Sequence, residues 1–215
     1  MYYRLGGVLM SRKLKRWEIA LFAGVCIALL SGMYLDREQA ALADKVIRLH
    51  VLANSDNRED QQLKLQVRDR VLAEAERLYQ PGDDVPAAYA RLEGALPRLA
   101  AAGRQVVEEL GYDYPVTAEL TRSWFPTKDY TDMSLPAGNY TALRIVIGEG
   151  GGQNWWCVVF PPLCLGSVSE QVDEAAQAGL FTPEQVSLIT GESGGYVVKF
   201  KAIELWEEFK KLWDE

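Results

Sequence analysis

Few side chains in this sequence could do chemistry, and their spacing limits what that chemistry could be. A nucleophile needs a base beside it, and the one histidine, His50, falls in the middle of an alternating apolar stretch, KVIRLHVLA at Lys45–Ala53. On such a strand a histidine packs or sits at a rim more readily than it catalyses. The sequence has no G-x-S-x-G, no P-loop lysine and no H-E-x-x-H. His50, Cys157 and Cys164 would supply three zinc ligands, but nothing in their spacing specifies a tetrahedral site. Asp56, Glu59 and Asp60 cluster at a helix start, where capping and compensation of the helix dipole account for them. We therefore expect a non-enzyme, with no catalytic residues, metal or cofactor.

The cysteines carry a second possibility. Cys157 and Cys164 lie seven steps apart in NWWCVVFPPLC, Asn154–Cys164. A fully extended chain would hold them roughly 23 Å apart, and a disulfide needs Cα atoms within about 7 Å. A bridge therefore requires the chain to double back at Phe160–Leu163, where Pro161 and Pro162 sit. We expect that disulfide; two buried free thiols or a reversible dithiol are the alternatives. A C-x6-C pair lacks the short spacing that usually tunes a reactive thiol. Trp155 and Trp156, as neighbours on a strand, must point to opposite faces. One should pack, and the other could anchor a protein partner or stack on a sugar ring.

These residues need elements to hold them. Tyr140–Ile147, YTALRIVI, and Trp155–Phe160 read as strands, and GEGGGQ at Gly148–Gln153 reads as the turn of a β-hairpin joining them. The same glycines resemble a phosphate cradle in composition, but such a loop should open a helix. Upstream, Lys45–Ala53 is the first strand and Asn54-Ser55-Asp56 stops it. Asp56 with Glu59 fits a capping box, Ser55 being the competing cap. Leu63, Val67, Val71, Ala75 and Leu78 recur at helical spacing over Arg58–Tyr79, and Lys64, Arg68, Asp69, Arg70 and Glu74 read as the solvated face.

Gln80–Asp84 breaks that helix, and a second runs to Leu110, with Pro97 expected to kink or split it and Gly111 to cap it. Pro115–Trp124 alternates as a strand with one wet face, and Phe125–Gly138 is a loop. Beyond Cys164 the pattern is weak until Thr182-Pro183, which should cap and open a short helix. A turn at Gly191–Gly195, a strand at Tyr196–Phe200 and a helix at Ala202–Trp213 close the chain. Together these predict an α+β fold: a mainly antiparallel sheet with helices packed on it.

The start of the chain bears on location. Arg12, Lys13, Lys15 and Arg16 precede the uncharged run Ile19–Leu35, the order of an export signal, and the basic end stays cytoplasmic. Ala41-Leu42-Ala43 offers a small-x-small cleavage site. Residues 1–43 are thus expected to be a signal peptide, or a membrane anchor through residues 19–35. Residues 44–215 form one exported domain. Without the first 43 residues the net charge of −7 becomes −10, since six basic and three acidic side chains leave. So acidic a domain repels phosphate backbones and anionic headgroups, which sets nucleic-acid binding aside.

The sequence resembles the stage II sporulation protein R family. The resemblance is carried by IRLHVLANSDNREDQQLKLQVRD at Ile47–Asp69, GYDYPV at Gly111–Val116, FPTKDY at Phe125–Tyr130 and the long run at Leu135–Cys164. It implies a signal made in the forespore and exported into the space between the two membranes of the developing spore. There it would activate a membrane-embedded aspartic protease, stage II sporulation protein GA, which processes the sigma-E precursor. The resemblance supplies no receptor-contacting residues. From residue type alone, Asn54, Ser55, Asp56, Phe125, Pro126 and the Trp155–Cys164 unit, with Trp155, Trp156, Pro161 and Pro162, should form or support the receptor-facing surface. The alternative roles for them are caps, turns and a braced hairpin. A cell-wall glycan-binding or hydrolytic module is the competing function.

Overall fold

The computed structural model describes residues 16–130, 133–164 and 168–190. Its elements, in chain order, are α1 (Arg16–Ala43), β1 (Ile47–Leu52), α2 (Arg58–Glu76), α3 (Val85–Glu109), β2 (Val116–Phe125), β3 (Lys128–Asp129), β4 (Ser134–Leu135), β5 (Gly138–Ile147), β6 (Asn154–Phe160), α4 (Val168–Gln177) and α5 (Pro183–Thr190). The closing turn, strand and helix expected beyond Thr190 lie outside the described residues.

Alternation in the first strand decides the layering. Ile47, Leu49 and Val51 of β1 enter one core, shared with Leu63, Val67 and Val71 of α2 and with Leu92, Leu99 and Val107 of α3. Arg48 and His50 take the intervening positions. The opposite face is covered by a second core, containing Leu42 and Ala43 from the end of α1, Leu135 of β4, Val172 of α4 and Ile189 of α5. The four-stranded sheet runs β2-β5-β1-β6. β1 is parallel to β5, while β1–β6 and β2–β5 are antiparallel. The fold is α+β with a mainly antiparallel sheet in a single domain, as expected.

The expected hairpin does not form. β5 and β6 follow one another in sequence, yet β1 lies between them and pairs with both. β1 is buried along almost all of its length, which suits a central strand. Gly148–Gln153 therefore crosses two strand spacings, about 10 Å, rather than reversing within one. Six residues suffice, and Gly148 and Gly150 take positive φ to do it.

Three local features differ from or match the sequence reading. Pro97 does not split α3, which is continuous from Val85 to Glu109. Both Pro97 and Glu93, whose carbonyl loses its donor, are exposed, so water can take the vacant acceptor. Gly111 caps α3 with φ +81°, its N–H donating to the Glu108 carbonyl and that of Tyr112 to Val107. The Thr182 cap also forms: Gln185 N–H donates to Thr182 Oγ1, and Gln185 Oε1 accepts from Thr182 N–H. α4 was not foreseen.

Candidate functional site

Because β1 and β5 are parallel neighbours, the loops that follow them, 53–57 and 148–153, meet at one end of the sheet. That is where α/β folds commonly place ligands. Here the two loops bind each other. The N–H groups of Gly151 and Gly152 donate to the carbonyls of Asn54 and Ala53, at 3.1 and 3.0 Å. Glu149 N–H donates to Asn54 Oδ1 at 3.0 Å, and Gln153 N–H to Asp56 Oδ1 at 2.7 Å. A Cβ on Gly152 would overlap the Ser55 carbonyl, and one on Gly148 the Asn54 side chain. These amide donors are committed to the β1–α2 loop, so the glycine stretch is a latch between loops and not a phosphate cradle.

The helix beneath is anchored in the same network. Asn57, rather than Asp56 or Ser55, caps α2: its Oδ1 accepts from Asp60 N–H at 2.7 Å. Asp56 faces away to hold Gln153, and Ser55 is turned inward, where Oγ donates to Asp60 Oδ2 at 2.6 Å. Asn54 and Asn57 donate to the same oxygen. Burial pushes the Asp60 carboxyl up, but donors from Ser55, Asn54, Tyr114 and Asn57 outweigh it and hold the group below the usual range. Lys64, expected in solvent, is buried instead. Its ammonium donates to the Gln153 carbonyl at 2.8 Å and to Gln61. Burial lowers its pKa, with Asp56 opposing.

On the other face of the sheet, Arg48 is fully buried with its guanidinium 4.3 Å from the Phe125 ring centre and 5.0 Å from that of Tyr140. Its Nη2 donates to Tyr130 Oη at 2.9 Å, and that hydroxyl lies 3.3 Å from the Trp156 carbonyl. His50 is half-buried between Phe125 and Trp156, with Nε2 2.9 Å from Asn154 Oδ1. Burial lowers its pKa against the opposing Asn154 contact, and the positive charges of Arg144 and Arg48 lower it further. His50 pairs in register with Trp156, whereas Cys157 pairs with Leu49 and joins the opposite core. The zinc combination of His50 with the cysteines is therefore not assembled.

Of the residues expected at a partner surface, Asp56 and Trp155 are exposed, and Gln153 and Asn154, which were not among them, are exposed beside them at this end of the sheet. Trp155 is 38% exposed, with the Arg68 guanidinium 4.3 Å from its ring centre. Trp156 is half-buried. Phe125 and Pro161 are buried, Pro126 and Pro162 partly so; the Phe125 ring packs edge-on against His50 and Trp156, which are themselves only half-buried. The disulfide forms: Cys157 and Cys164 are bonded, with Cα atoms 6.0 Å apart, and the reversal includes a cis Phe160–Pro161 bond. Val158 N–H then donates to Cys164 Sγ at 3.1 Å. The bridged loop and Tyr130 thus cover the outer edge of β6, which an edge strand otherwise leaves open. The sequence reading missed Arg48, Asp60 and Lys64 as buried ionic groups. For Arg48 the signal was present, since alternation puts it on one face with His50.

The family model for stage II sporulation protein R matches residues 43–170, which contain all of these residues. The chain belongs to that family. It is 37% identical over 147 residues to stage II sporulation protein R of Bacillus subtilis (strain 168), a match covering 66% of this chain and 66% of the relative's length. No solved structure matches. Family membership makes this a sporulation protein, and it agrees with the resemblance read from Ile47–Asp69 and Leu135–Cys164.

Proposed function

We propose that the chain is an exported sporulation signal that activates a membrane-embedded aspartic protease of the stage II sporulation protein GA type, leading to processing of the sigma-E precursor. It acts by binding, as a ligand and not as a catalyst. The observation that carries this reading is the exposed Trp155 platform on a latched end of the sheet, within the segment that matches the sporulation family. A tryptophan with a stacked arginine on a rigid support is the kind of anchor that dominates protein interfaces. Export is supported by the basic residues ahead of the apolar run. Among the described residues no helix is long and apolar enough to cross a membrane, and an export signal needs only about 7–15 apolar residues.

Co-expressing the chain with the protease and the precursor in a non-sporulating host tests the proposal. Precursor cleavage should depend on the chain, and Trp155→Ala should reduce it at least roughly tenfold while the exported protein stays folded. Cleavage indifferent to the chain would remove the reading. Binding of purified peptidoglycan that is lost in Trp155→Ala would put the glycan-binding module first.

A further inference from the structure

We infer that α1 stays on the exported protein and holds it at a lipid bilayer, because the last turn of this helix belongs to the domain's second core. The inference rests on the export reading above. The small-x-small triplet Ala41-Leu42-Ala43 is the only one between the end of the apolar run at Leu35 and the start of β1. In the folded chain Leu42 is 0% exposed and Ala43 is buried, both packed in the cluster that includes Val46, Phe125, Leu135, Tyr140 and Val158. The amide of the bond that would be cut, Asp44 N–H, donates to the Ala40 carbonyl at 2.9 Å. Lys45, just beyond, reaches Gln185 of α5 at 2.8 Å.

A signal-removing protease can act before folding, so burial alone does not protect the bond. Cutting there would nevertheless leave a leucine-sized void in the core. The triplet also stands two helical turns past Leu35, behind Asp36, Arg37 and Glu38, whereas such sites normally close the apolar region. What remains attached is a helix that carries bare apolar side chains along its described length before that last turn. Ile19, Leu21, Phe22, Ile27 and Leu30 are each more than half exposed, around most of the helix circumference, behind four basic residues. Apolar on nearly all sides with a cationic lead, this surface matches a bilayer with anionic headgroups.

The test is the intact mass of the full-length chain after export from a bacterium, with flotation of the same product on phosphatidylethanolamine–phosphatidylglycerol vesicles. We expect a product that retains α1 and floats, and in which Leu42→Ser lowers the melting temperature by roughly 5–10 °C. A product beginning at Asp44, a retained helix that does not float, or a Leu42→Ser product that melts like wild type would each overturn the inference. A chain that never leaves the cytoplasm would defeat the export reading itself. An exported chain beginning at Asp44 would leave that reading intact.

Discussion

Within the β1–α2 loop, Ser55, Asn54 and Asn57 direct their donors to one oxygen of Asp60, while Asp56, four residues earlier, accepts from Gln153 and stays in solvent. Two carboxylates in one acidic stretch thus have different duties: Asp60 fastens the loop to α2, and Asp56 fastens it to the glycine latch. Asp60 is ionised more readily in the folded chain than in the unfolded one. Its stabilisation is complete above the unfolded aspartate value of about 3.9 and is lost as pH falls through the lower folded value. Asp60→Asn should therefore cost about 2 kcal/mol at neutral pH. Urea unfolding should show the gap to wild type closing as the pH is taken below about 4. A gap unchanged by acid would mean that shape and not charge is what the site requires.

At the scale of elements, glycines separate by what surrounds them. Gly94 lies on the exposed side of α3 with nothing near the position of a Cβ, so Gly94→Ala should stabilise by about 0.5–1 kcal/mol. Gly152 lies against the Ser55 carbonyl, and Gly152→Ala should destabilise by roughly 2 kcal/mol or more because backbone must move. Thermal unfolding of the two variants beside wild type checks both signs. The pairs of strands and helices were largely legible, since Leu63, Val67, Val71 and Ala75 repeat at helical spacing and Ile47, Leu49 and Val51 alternate. The sheet order was not. Consecutive strands joined by glycines suggest a hairpin, and only pairing across the sheet reveals that β1 separates them. Lys64 was unreadable for the same reason: its acceptor, the Gln153 carbonyl, is 89 residues away.

For the whole molecule, the disulfide ties the middle of β6, at Cys157, to the loop that shields it. Cys157→Ser/Cys164→Ser should lose about 2.5 kcal/mol in the chain-entropy account. Denaturant midpoints of the oxidised wild type and the double variant measure it. Equal midpoints would mean that the sheet, not the bridge, fixes this loop. The site was partly legible: residue type singled out Asp56 and Trp155, which prove exposed, and also Phe125, which proves to be core. Composition cannot tell an aromatic at a surface turn from one folded beneath it.

The position of β1 has a consequence for how the chain can be made. β1 is the first strand to emerge, yet its partners arrive much later: Ile47 must wait for Thr141, and Leu49 for Cys157. Until β5 has appeared the strand that will be central has both edges open, and one edge stays open until β6 ends at Phe160, so the sheet cannot close around it before then. Assembly is therefore all-or-none with respect to chain length. A polypeptide stalled or truncated before β6 would present an apolar strand to chaperones and proteases rather than a smaller version of the domain.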